Sequence, residues 1–189
     1  MSTLSGHSTV ARKHEDVNVR DNALMTKSGY ICKKISTSFV RPADTTTYAI
    51  GDAITNSATE QVVFQLDLST IGAVAGQSVE IRKIAVVSST KQTLLPLVNV
   101  YLSNATFAAT ADNAALEIAD ATIELGGAWF KCDEQNYTGL NSSASKLNAN
   151  EPIILAAADT KLYGTIQAAN AYVPISEEKF TIIAWVALL

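Results

Sequence analysis

Gln61-Val-Val-Phe-Gln-Leu-Asp-Leu68 is the stretch that decides the fold class. Val62, Phe64, Leu66 and Leu68 recur at alternate positions, and Gln61, Gln65 and Asp67 point the other way. A repeat of two places apolar side chains on one face of a strand; a helix would need a repeat of 3.6. The stretch therefore predicts a half-buried strand of an antiparallel sheet, apolar inward and polar outward.

The same texture extends in both directions. Upstream, Tyr30–Val40 reads as a strand with Ile31, Ile35 and Phe39 on one face. Arg41-Pro42 ends it, because proline lacks an N–H and restricts the residue before it. Gly51-Asp52, between short apolar flanks at 48–54, predicts a tight turn, and Asn56–Thr59 a loop. Downstream, Ser78–Val87 alternates through Val79 and Ile81, then slips phase at Arg82-Lys83 before Ile84 and Val86. A β-bulge there restores the apolar face. Further strands follow at Leu97–Leu102, Ala128–Cys132, Pro152–Ala156 and Lys161–Ala168, where Leu162 and Ile166 flank Gly164. Asp112–Ile118 reads as a helical turn or a loop, and Asn136–Asn150 as a polar, turn-rich segment. The last strand, Lys179–Leu189, is apolar on both faces: Phe180, Ile182, Val186 and Leu188 on one, Ile183, Trp185 and Leu189 on the other. Such a strand is expected to be covered on both sides, by a second sheet or another subunit. About eight short strands with turn signals between them predict an all-β, antiparallel β-sandwich or barrel, jelly-roll-like.

Charge divides the 189 residues differently. Residues 1–41 hold seven of the 14 Lys and Arg against three acidic groups, a net of +4, while the remainder nets −8. Residues 1–28 have too few large apolar side chains for a core and read as an extended N-terminal arm; 29–189 read as the β-sandwich domain. The overall net charge of −4 argues against nucleic acid as a partner, since phosphate binding needs a dense basic surface. Neither an 18-residue apolar run nor an apolar signal-peptide core occurs, so a soluble chain made in a cytoplasm, without a membrane partner, is expected. Cys32 and Cys132, 100 residues apart, read as two free, buried thiols.

Residues for catalysis are sparse. Both histidines, His7 and His14, fall in the arm, where no rigid scaffold positions a general base. Carboxylates remain: Glu117, Asp120 and Glu124 are spaced three and four apart, and Asp133-Glu134 are adjacent. Two carboxylates across a cleft can hydrolyse glycosides, but solvated loop charges show the same spacing. Asp112-Asn113 lacks the spacing of a Ca²⁺ loop. Glycine-rich phosphate loops are absent from the sequence, and no cofactor is expected.

Three phrases carry a resemblance. Phe39-Val-Arg-Pro-Ala-Asp-Thr-Thr-Thr-Tyr-Ala-Ile-Gly-Asp-Ala-Ile54, then Asp112-Asn-Ala-Ala115, then Lys161–Pro174 with Phe180-Thr-Ile182 resemble, in order, segments of virion proteins of tailed bacteriophages. The resemblance spans roughly residues 36–189 and implies a non-enzymatic capsid decoration (cement) protein, located in the virion and assembled in the host cytoplasm. The arm lies outside that pattern. Its expected role is to staple the sandwich to the major capsid protein: Arg12, Lys13, Arg20, Lys27, Lys33 and Lys34 pair with acidic surface, while Val17, Val19, Leu24 and Met25 fill small pockets. Self-association, as a homotrimer, is the expected oligomeric form. The alternative is a neck or tail adaptor, or a carbohydrate-binding module in which Trp129, Tyr137 or Tyr172 stacks on sugar. Within the phrases, Pro42 is expected to fix a corner, Asp44 to bond the following amides, and Gly51 to allow a turn.

Overall fold

The period-two segments fold into ten strands in a computed structural model, which describes residues 32–58, 64–90, 97–108, 110–136, 143–156 and 158–189. These residues belong to the unit Cys32–Leu189. The strands are β1 (Cys32–Val40), β2 (Ala53–Ile54), β3 (Phe64–Asp67), β4 (Ser78–Ser88), β5 (Val98–Ser103), β6 (Ala128–Cys132), β7 (Glu134–Asn136), β8 (Ser143–Ile154), β9 (Lys161–Ala168) and β10 (Lys179–Leu188). A 3-10 helix at Leu68–Ile71 follows β3, capped by Asp67 and closed by Gly72 at φ 88°. One short helix, α1 (Asp120–Glu124), precedes β6.

Strand order identifies the architecture. The first sheet runs β1-β10-β4-β8-β7 and the second β2-β9-β5-β6, with β3 also paired to β9. Every pairing is antiparallel. Early strands pair with late ones in nested order: β1 with β10, β2 and β3 with β9, β4 with β8, β5 with β6. A long hairpin wrapped around itself in this way is a jelly roll. Its core draws alternate residues from both sheets: Phe64 and Leu66, Val79, Ile81, Ile84 and Val86, Val98, Val100 and Leu102, Phe180 and Ile182. Burying side chains of this size stabilises the fold by about 1.5–3 kcal/mol each.

The phase slip at Arg82-Lys83 is a bulge. Lys83 pairs with Trp185 and Ile81 with Val186, which leaves Arg82 as the extra residue; the pairing with β8 shifts at the same point. Arg82 and Lys83 are both partly exposed while Ile81 and Ile84 stay in the core. Gly164 faces inward because Phe64 fills its place: a Cβ there would lie 2.3 Å from the Phe64 ring.

Four expectations need correction. Residues 143–150 are not turn but the first two-thirds of β8, held as strand by pairing with β4. Among the described residues no second sheet covers the second apolar face of β10, which leaves another subunit as the expected cover. Ile183 and Trp185 lie on the outer face of the first sheet, half-buried, with the Lys83 ammonium 4.7 Å from the Trp185 ring centre. Cys32 is exposed and only Cys132 is buried. Lys33, Lys34 and Arg41, counted above with the basic opening segment, belong to the sandwich: Lys33 and Lys34 lie on β1, and Lys33 Nζ donates to the Ile71 carbonyl at 2.5 Å. Without these three, residues 1–28 hold four basic and three acidic groups, a net of +1.

Candidate functional site

The chain from Val40 to Gly51 runs antiparallel to 168–179. Val40 pairs with Lys179, the Arg41 amide donates to Glu178 O at 3.0 Å, Tyr48 bridges Tyr172, and the Gly51 amide donates to Ala168 O at 2.9 Å. Pro42 turns the corner out of β1, and Asp44 Oδ1 accepts the Thr46 amide at 3.0 Å. Gly51 takes φ 98°, a conformation that favours glycine. The expectations at Asp44 and Gly51 hold.

Arg41 does more than end a strand. It is 2% exposed, among the most buried large side chains of the protein. Its Nε donates to Tyr48 Oη at 2.9 Å, and Nη2 reaches Asp44 Oδ1 at 2.8 Å and Asp112 Oδ2 at 3.2 Å. Nη1 donates to the carbonyls of Asp44 (2.5 Å) and Ile175 (3.3 Å). Asp112 is satisfied in turn: its Oδ1 accepts Tyr48 Oη at 2.6 Å and the Thr55 amide at 2.8 Å. The Tyr48 ring stacks on Tyr172, with centroids 5.0 Å apart. Asn113 follows at φ 58°, which asparagine tolerates better than most residues. Burial disfavours the Arg41 charge, but Asp44, Tyr48 and Asp112 outweigh it and hold its pKa above the ordinary value. Burial also pushes Asp112 up, while Tyr48, the Thr55 amide and Arg41 pull it back.

The three phrases of the sequence thus meet in one buried clamp. Arg41 and Tyr48 come from the first, Asp112 from the second, Tyr172 from the third. The clamp is a cross-link, not reactive chemistry. Both Asp112 oxygens are taken by protein donors, one of them cationic.

The clamp anchors the segment joining β5 to β6. Asp112 and Asn113 donate their amides to the carbonyls of Ser57 and Ala53, and Leu116 to Gly51, alongside β2. From there the segment returns over β5, where the carbonyl of Thr122 accepts the Tyr101 hydroxyl at 3.3 Å. It therefore crosses the outer face of the second sheet. A cleft of about 640 Å³ opens on it, lined by Ala108, Thr110 and the run from Leu116 to Asp120.

Glu117 and Asp120 share this cleft, whereas Glu124 does not line it. Trp129 is 45% exposed and available for stacking, but Tyr172 is 4% exposed and committed to the clamp, so it cannot serve as a sugar platform. The arm residues Arg12, Lys13, Val17, Val19, Arg20, Leu24, Met25 and Lys27, the two histidines and Tyr137 lie outside the described residues. Sequence reasoning missed the buried role of Arg41. The available signal was an arginine three residues before an aspartate, in a phrase otherwise poor in charge.

A scan against family models and a search of the curated proteins find no match. Among solved structures, the chain is similar to the decameric BFDV capsid protein at 10% identity, covering 85% of this chain and 99% of that one, TM-score 0.32. A chain of the mud crab tombus-like virus is 14% identical, with coverage of 93% and 96% and TM-score 0.27. A chain of the Israel acute paralysis virus pentamer is 14% identical, with coverage of 83% and 88% and TM-score 0.28. The fold assignment rests on the strand pairing above.

Proposed function

We propose that this protein is a non-enzymatic structural component of a tailed-phage virion, a capsid decoration protein assembled in the host cytoplasm. The observation that carries the reading is the clamp. The phrases resembling virion proteins are separated by 45 residues or more in sequence, yet Arg41, Tyr48, Asp112 and Tyr172 join in one buried network. That supports reading the resemblance as one to a structural unit.

In this reading the sandwich self-associates, as a homotrimer, and residues 1–28 staple it to the major capsid protein. A patch on the outer face of the first sheet supports self-association: Ser36 and Ser38 on β1 adjoin Ile183 and Thr181 on β10, uncharged side chains bordered by Lys34 and Lys83 beside Trp185. Large interfaces deplete charge at their centre in the same way. With a net charge of only +1, the arm must rely on Val17, Val19, Leu24 and Met25 as much as on Arg12, Lys13, Arg20 and Lys27. Many copies on one particle compensate for the ordering entropy of each arm. Nucleic acid and membrane are not partners in this reading. Location at a neck or tail ring is the second reading, since the arm lies outside the resemblance and can serve as an adaptor.

The test is co-sedimentation of the full chain and of residues 29–189 with undecorated capsids. Decoration predicts that the full chain binds and the truncated chain, folded by circular dichroism, does not. Full binding by the truncated chain refutes the arm as staple. Failure of the full chain to bind refutes decoration.

A further inference from the structure

The outer face of the second sheet carries a second constellation, separate from the clamp. Two cross-strand rows lie there: Trp129, Tyr101 and Thr165, and beside them Lys131, Asn99 and Gln167. Tyr101 is fully buried although it faces away from the core. Phe107 meets it edge-on at 5.5 Å and Trp129 packs against it at 5.1 Å between centroids. Gly127 closes over it: a Cβ there would sit 1.9 Å from the Tyr101 hydroxyl oxygen. Trp129 is therefore held in place by Tyr101 while much of its indole stays in solvent, a fixed aromatic platform.

Polar groups surround the platform. The Asn99 amide donates to Gln167 Oε1 at 3.1 Å, and Gln167 Nε2 to the Gly51 carbonyl at 3.3 Å. An amide has two N–H donors, so each keeps capacity for a further bond. Thr165 is buried, and its hydroxyl has no hydrogen-bond partner among the described residues. The cleft of about 640 Å³ begins at Ala108, next to Phe107, and supplies the carboxylates of Glu117 and Asp120. Residues 97–130 contain four carboxylates and no Lys or Arg. Lys131, the basic side chain on the two rows, lies 3.8 Å from Asp133.

We propose that this face binds a neutral, hydroxyl-rich polysaccharide. A pyranose ring offers a face of C–H groups to an indole and a rim of hydroxyls to amides and carboxylates. The cleft volume falls in the range of about 300–1,000 Å³ that suits small ligands. Sulfated or uronate chains are disfavoured, because residues 97–130 carry four carboxylates and no basic side chain, and Lys131, the cation on the two rows, already lies beside Asp133. The inference stands on the face itself and not on where the protein sits in a particle.

Trp185→Phe removes the second indole, so that emission reports Trp129 alone. In this background the protein is screened on an array of neutral and anionic glycans. The strongest neutral oligosaccharide is then titrated by fluorescence, with heparin as the anionic control. The expected result is a neutral glycan that shifts Trp129 emission, with about tenfold weaker binding in Asn99→Ala and in Trp129→Ala read by calorimetry. Thermal unfolding of each variant checks the fold. No neutral ligand, a preference for heparin, or unchanged affinity in both variants overturns the inference. So does loss of acrylamide quenching of Trp129 on assembled particles without glycan binding by the free protein, which would assign the face to a protein contact. Incorporation of Trp129→Ala into particles at normal copy number separates failure here from failure of the decoration reading.

Discussion

Replacing Arg41 with methionine keeps an unbranched apolar stem and removes the guanidinium, so most of the cost measures the clamp. Five acceptors lose their donor: Tyr48 Oη, Asp44 O and Oδ1, Asp112 Oδ2 and the Ile175 carbonyl. They do not contribute equally. The Asp44 side chain is 40% exposed and returns to water at small cost. The Asp112 side chain is 1% exposed and cannot. It keeps the Tyr48 hydroxyl and the Thr55 amide but loses its counter-charge. Breaking a buried pair from one side costs about 3–5 kcal/mol, a large part of the roughly 5–15 kcal/mol that holds a domain together. Arg41→Met should therefore be marginally folded. Asp112→Asn should also destabilise, because Arg41 is then left with the exposed Asp44 as its only carboxylate. The double variant should lose less than the sum of the two, with a coupling of about 1–3 kcal/mol. Urea unfolding followed by circular dichroism, with slopes compared across the cycle, reads these values. A loss below about 1 kcal/mol in Arg41→Met, or additivity within about 0.5 kcal/mol, would refute the clamp as a stabilising cross-link.

Other outcomes follow from packing and charge. Gly164→Ala drives a Cβ against Phe64 and within 2.8 Å of Leu102, so it should cost about 1–3 kcal/mol by overpacking, with partial rescue by Phe64→Leu; a neutral Gly164→Ala would contradict the packing. Acid should destabilise. The Thr46 amide and Arg41 hold Asp44 below the usual carboxylate range, Ser69 does so for Asp67, and Tyr163 for Asp159. Such groups bind fewer protons folded than unfolded, so their contribution is complete above about pH 4 and lost as pH falls through their lowered values. Asp112 has the opposite sign: its raised value makes stability rise slightly as pH falls towards about 4, before that loss sets in. Thermal midpoints that fail to fall on acidification below about pH 4 would contradict the contribution of Asp44, Asp67 and Asp159.

Much of the sandwich was legible because one face of each strand is buried. The phase slip at Arg82-Lys83 could be read as a bulge because only a bulge keeps both Ile81 and Ile84 inside. The first part of β8, Ser143-Ala-Ser-Lys-Leu-Asn-Ala-Asn150, carries no such pattern; it is strand because β4 offers it a partner. On β10 the apolar outer face suggested a second sheet or another subunit; no described sheet lies there, and Lys83 covers part of the Trp185 indole. Local chemistry in the phrases was legible at Asp44 and Gly51, whose effects stay within a few residues. Arg41 was not, because its partner Asp112 is 71 residues away. Trp129 was singled out correctly as an exposed aromatic. Tyr172 was not, since only the fold reveals that Tyr48 covers it.

Copy number tests the central claim most directly. Quantitative mass spectrometry of purified virions should find this protein at a ratio to the major capsid protein near unity, or at a simple lattice fraction of it. A ratio of a few per cent or less, or absence from the particle, would contradict decoration of the capsid.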